Sequence, residues 1–127
     1  MKAILVKKPL DFSLIQTPMP ECGPFDVLVD VKACGLCGTD LRTASTAVQY
    51  EPIGHEIAGI VAAVGSAVHN IKPGQSVCLE SGTFNRFSAL SRNGQVDKDM
   101  SGRSMFNSGI KTMGFAEYIL VPCESCV

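Results

Sequence analysis

Short strand-length apolar segments, each closed off by glycine or proline, dominate this chain and fix its fold class. In Asp26-Val27-Leu28-Val29-Asp30-Val31-Lys32-Ala33 every odd position is apolar and Asp26, Asp30 and Lys32 fall on even ones, the alternation of a half-buried strand. Similar segments run over 1–6, 12–16, 59–64, 76–80 and 115–121. Pro20, Gly23-Pro24, Gly35, Gly65, Pro73-Gly74 and Gly114 punctuate them, as tight turns require. Many short, closely spaced strands predict a mainly β domain, a small barrel or sandwich. Helix is sparse, with 40–47 the best candidate. The stretch 81–112 differs: it is rich in Ser, Gly, Asn and charge without a period, and a loop that long inside a compact domain is usually functional.

Composition bounds the partners. At 127 residues the chain reads as one domain able to bury its own core. With 11 basic and 12 acidic residues and no basic run, it carries neither a nucleic-acid footprint nor a membrane-surface patch. The longest apolar run, 57–68, is broken by Gly59, Gly65 and Ser66 and falls short of the roughly 18 residues a span needs. The start, Met1-Lys2-Ala3-Ile4-Leu5-Val6-Lys7-Lys8, lacks a secretory core and cleavage site. These features predict a cytoplasmic protein. The six cysteines, Cys22, Cys34, Cys37, Cys78, Cys123 and Cys126, are therefore expected as reduced thiols.

The chemistry lies in two nearby segments, Cys37-Gly38-Thr39-Asp40-Leu41-Arg42 and Gly54-His55-Glu56. They offer a thiolate, an imidazole and a carboxylate to one cation, with the Thr39 hydroxyl two residues from the thiolate. Zinc prefers thiolate and imidazole, and a catalytic zinc keeps one position open beside three protein ligands. Other readings compete at individual residues. Thr39 suits a helix N-cap, Cys34 suits packing as a small apolar residue, and His69 suits a solvated turn. Cys34/Cys37 with Cys123/Cys126 lie too far apart in sequence for the usual paired-cysteine zinc site, whose halves are separated by roughly 12 to 20 residues.

The sequence resembles the catalytic domain of the zinc-dependent medium-chain dehydrogenases, which include alcohol, sorbitol and threonine dehydrogenases. Gly54, His55, Glu56, Gly59, Gly65 and Val68 match the zinc signature of that family. Cys37, Thr39 and Asp40 match its Cys-x-(Ser/Thr)-Asp-x-His pattern, which Arg42 breaks. Gly23 to Val31 and Gly114 to Tyr118 extend the resemblance over nearly the whole chain. It implies a GroES-like β-barrel over 1–127, with an irregular lobe at about 81–113, and a catalytic zinc on Cys37 and His55, with Glu56 a ligand in some states. Zinc would polarise a small alcohol or polyol for hydride transfer to NAD or NADP. Thr39 would take part in proton transfer and Asp40 would fix the tautomer of His55. Arg42, standing where the relay's outer histidine belongs, cannot titrate.

The resemblance also aligns Asn85, Ser88, Ser91 and Asp99 with the four cysteines of a structural zinc site. Hydroxyls and a carboxamide are poor zinc ligands. A structural zinc is therefore not expected, and the lobe from Phe84 to Thr112 should be mobile unless packing replaces the metal. No Gly-x-Gly-x-x-Gly turn of a dinucleotide site occurs in the sequence. The expectation is the amino-terminal part of a longer dehydrogenase, inactive without a Rossmann cofactor domain and able to form an oligomer in full-length form. The rival expectation is an isolated or engineered GroES-like domain that binds zinc weakly or not at all, without turnover.

Overall fold

The computed structural model describes residues 1–81, 85, 87–95, 98–99, 101 and 112–127. Strand β1 (Lys2–Lys7) pairs antiparallel with β2 (Asp11–Gln16), leaving a short connection for the turn between them. The long strand β3 (Asp26–Gly35) leads directly to helix α1 (Gly38–Thr46). A two-residue strand β4 (Glu51–Pro52) returns to β1, and β5 (Glu56–Val64) then runs back along β3. After β6 (Ser76–Leu79) come a one-turn helix α2 (Ala89–Arg92), strand β7 (Tyr118–Pro122) and a 3₁₀ turn at Cys123–Ser125. The strands form two antiparallel sheets, ordered β2-β1-β4 and β6-β5-β3-β7. The mainly β expectation is met, as two sheets.

Tertiary pairing moves several strand ends away from where the sequence pattern puts them. The pattern starts β5 at Gly59, but Ala33, Cys34 and Gly35 pair with Ala58, Ile57 and Glu56, so the ladder begins three residues earlier. The same pattern starts β7 at Phe115. Instead, the Ile4 amide donates to the Phe115 carbonyl (2.8 Å), the Phe115 amide donates to the Ile53 carbonyl (3.2 Å), and Ala3 bridges Ala116. Residues 115–117 thus join the first sheet to the second. In β2 the large apolar side chains of Phe12 and Leu14 are exposed, as an edge strand allows.

Alternation in β3 becomes a core because the strand lies between two others. Val27 and Val29 are fully buried with Ile57, Val61, Ile119 and Val121 between the strands' inner faces. Burying a side chain of this kind stabilises by roughly 1.5–3 kcal/mol each. A second cluster joins Val6 and Ile53 to Ala44 on α1, with Ile4 and Phe115 against it. That cluster seats α1 on the first sheet, and the carbonyls of Ala44 and Ala47 also accept from the Leu10 and Lys8 amides (both 2.9 Å).

Candidate metal centre

Antiparallel register brings the two motif segments together. Gly35, the last residue of β3, lies opposite Glu56, the first of β5. Cys37 follows just beyond one strand end and His55 stands just before the other. Cys37 Sγ, a ring nitrogen of His55 and a carboxylate oxygen of Glu56 all lie within 4.8 Å of one another. Among the described residues, this is the group of three metal-capable side chains that comes together.

Asp40 organises the backbone around that group. It is 3 % exposed, and its Oδ2 accepts from the Cys37 amide (2.9 Å) while Oδ1 accepts from the Gly54 amide (3.0 Å). Cys37 is the N-cap of α1, so the first bond satisfies one of the amides a helix start leaves open. The second ties the helix to the residue before His55. His55 Nδ1 faces the same Oδ1 at 3.5 Å, longer than a formed N–H···O bond. The other ring nitrogen, Nε2, lies 3.3 Å from the Thr39 hydroxyl. Thr39 sits two residues inside the helix, so the cap reading of Thr39 gives way to Cys37 and Asp40.

Gly54, which the sequence marks only as part of the Gly-His-Glu signature, has a backbone role of its own. Its φ is +93°, and a Cβ there would lie 2.7 Å from Cys34 Sγ and 2.9 Å from the Phe115 amide nitrogen. Only glycine combines that conformation with that approach. Cys34 packs against the main core, and burial first, then the Asp40 carboxylate, push its thiol pKa up. It remains a neutral packing group beside the site. Arg42 is exposed on α1, and His69 is exposed in its turn. A shallow groove of about 350 Å³ runs elsewhere, along Ile4, Leu14, Val31 and Phe115, and is not lined by Cys37, His55 or Glu56.

The four lobe positions aligned with a structural zinc also converge. Ser91 donates to Asp99, Asn85 Nδ2 donates to Ser101 Oγ (3.2 Å), and Ser101 donates to Asp99 through its amide (2.9 Å) and its hydroxyl. Hydroxyls of Ser101, then Ser91 and Ser88, hold the Asp99 carboxyl well below the usual carboxylate range. Ser88 in addition caps α2, accepting from the Leu90 amide (3.2 Å), an element the aperiodic sequence did not predict. Much of the expected mobile lobe, 82–84, 86, 96–97, 100 and 102–111, lies outside the described residues.

The pattern of the alcohol dehydrogenase GroES-like domain matches residues 23–127, most of the chain. The chain belongs to this family. It is 34 % identical over 136 aligned residues to L-threonine 3-dehydrogenase of Ruegeria pomeroyi, covering all of this chain and 39 % of that protein. It is 44 % identical over 117 residues to L-idonate 5-dehydrogenase of Vitis vinifera, covering 85 % of this chain and 31 % of the relative. Among solved structures it resembles 2R,3R-butanediol dehydrogenase of Bacillus subtilis, with a TM-score of 0.76 and 27 % identity over 99 % of this chain and 39 % of the other. The GroES-like domain thus spans well under half the length of the proteins it matches. No helix among the described residues is long and apolar enough to cross a membrane.

Proposed function

We propose that this GroES-like domain forms the zinc-binding side of an alcohol or polyol dehydrogenase that uses NAD or NADP. The observation that carries the reading is the convergence of Cys37, His55 and Glu56 within 4.8 Å. One thiolate, one imidazole and one carboxylate are donors that suit zinc, and three of them leave a fourth tetrahedral position for substrate. When bound there, zinc supplies the Lewis acidity that brings a coordinated hydroxyl into the neutral range.

Residues of this chain supply the rest. Asp40 positions Cys37 and the Gly54–His55 backbone and faces Nδ1, which directs Nε2 to the metal side. Thr39, whose hydroxyl lies beside Nε2, receives the proton of the substrate hydroxyl and passes it to water. Arg42 offers fixed positive charge on the exposed face of α1 and takes no proton. The nicotinamide would be held by a dinucleotide-binding region outside these 127 residues, so that turnover needs both parts. The lobe cluster around Asp99 would hold its loop by hydrogen bonds in place of a second zinc. The substrate would be a small alcohol or polyol, and six free thiols fit action in a reducing cytoplasm.

Metal content of the purified protein, with and without Cys37→Ala, tests the assignment. One zinc per chain that is lost on mutation is the expected result. No zinc in either form would overturn it in favour of a domain without a working metal.

A further inference from the structure

His55 and Glu56 are consecutive, and successive side chains at the start of a strand point to opposite sides. For both to reach the same point, one must fold back across the strand pair. Glu56 does so, and the space it enters is the missing side chain of Gly35, its register partner. A Cβ on Gly35 would lie 2.3 Å from Glu56 Oε2, 3.1 Å from its Cβ and 3.4 Å from its Cδ. Its three nearest neighbours all belong to Glu56. The φ of Gly35 is not in the left-handed region, so turn geometry does not demand glycine here.

We propose that Gly35 is a positioning residue for Glu56, kept free of a side chain so that the carboxylate can lie across β3 and reach the metal side of Cys37 and His55. The inference rests on the zinc reading above and extends it. The backbone at 35 sets whether the protein offers two ligands or three. With any side chain at 35, the flexible Glu56 arm swings out, and the position it held passes to water. The contrast with other glycines supports this. Gly59 and Gly65 face backbone carbonyls of Asp30 and of Gly23 and Pro24 at 2.1–2.4 Å, and Gly114 faces the packed side chains of Ile57 and Cys34, so those three serve packing. At Gly35 the contacts all belong to one exposed side chain, the nearest being its carboxylate oxygen, which can turn away without disturbing the fold.

The test measures zinc affinity by chelator competition, with Co²⁺ absorption as a second readout, on wild type, Gly35→Ala, Glu56→Ala and the double variant. Gly35→Ala should weaken zinc about tenfold, the low end of what support of a ligand is worth. The Co²⁺ ligand-field bands should change while the thiolate-to-metal band from Cys37 stays. In the Glu56→Ala background, Gly35→Ala should change affinity by less than about twofold, the scatter of independent sites. An equal loss in both backgrounds, or wild-type affinity for Gly35→Ala, would overturn the proposal. Glu56→Ala alone decides the matter if Gly35→Ala does not fold, because wild-type affinity and spectrum in that variant leave Gly35 nothing to position. A wild type that binds no metal at Cys37 refutes the zinc reading instead, a result distinct from each of these.

Discussion

Asp40→Ala should destabilise the protein even with every metal removed, because its carboxylate holds two backbone amides that nothing else in its position can reach. The Gly54 amide is buried, and losing its acceptor leaves a donor with neither protein nor water, at a cost of about 1–3 kcal/mol. The Cys37 amide lies at a half-buried helix start, where water can take over part of the bond, so the loss there is nearer the 1 kcal/mol of an N-cap. Removing a carboxylate that is only 3 % exposed returns part of its own desolvation cost, which works in the opposite direction. The net expectation is a loss of about 2–3 kcal/mol. Urea unfolding followed by circular dichroism, in the presence of a chelator, should show this as a midpoint lower by about 1–2 M at the slope usual for small domains. Asp40→Asn should fall between the two, because its amide oxygen can keep one acceptor while its NH₂ faces the other donor. A midpoint for Asp40→Ala within about 0.3 M of wild type would refute the idea that this carboxylate joins the two motif segments.

Three further outcomes follow from the same geometry. Asp99→Asn should loosen the segment around α2, seen as faster proteolysis between residues 85 and 101 at neutral pH. Since the carboxyl is held low, the stabilisation from this group is fully present above the ordinary carboxylate pKa of about 3.9 and fades only as pH falls below it toward the folded value, so the wild-type segment should be insensitive to pH from 5 to 8. Burial raises the Cys126 thiol from the ordinary 9.0 to about 11, so its contribution is complete below pH 9 and lost as pH rises to about 11; Cys126→Ala should flatten the alkaline limb of a stability–pH curve, and an unchanged limb would exclude this thiol as its cause. Gly54→Ala combines a φ of +93° with contacts at 2.7 and 2.9 Å, and thermal melting should place it at least about 2 kcal/mol below wild type.

Much of the fold was legible because its signals are local. The period-two pattern of residues 26–33, the punctuating glycines and the helix after Cys37 are properties of a few neighbouring residues, and each appears in the structure within a few positions. What was not legible depends on pairing. Nothing in the apolar pattern marks Glu56 as a strand residue, and only its position opposite Gly35 makes it one. Residues 115–117 read as a continuation of β7, yet their backbone groups bond to Ile4 and Ile53, contacts more than 60 positions distant in sequence. Helix α2 carries no periodic face and is started by a cap, Ser88, inside a run of polar residues. At the candidate site, residue types and spacing pointed to Cys37, His55 and Glu56, but the dependence of that cluster on Gly54 and Gly35 could be seen only once the space around their Cα atoms was known.

Backbone bonds and strand pairing place the residues of the candidate site. The strand register of β3 and β5 and the two amide bonds to Asp40 place the Cys37 and His55 backbones side by side. Both amides are satisfied within the protein, and His55 is already turned so that Nδ1 faces Asp40 and Nε2 faces Thr39. The lobe follows a different logic on the same chain. There, Ser88, Ser91 and Ser101 gather around Asp99 and Asn85 bonds to Ser101, so the carboxylate supplies the central charge to which the hydroxyls point. In one region strand register and a buried carboxylate bring Cys37, His55 and Glu56 together; in the other, serine hydroxyls bond to a carboxylate.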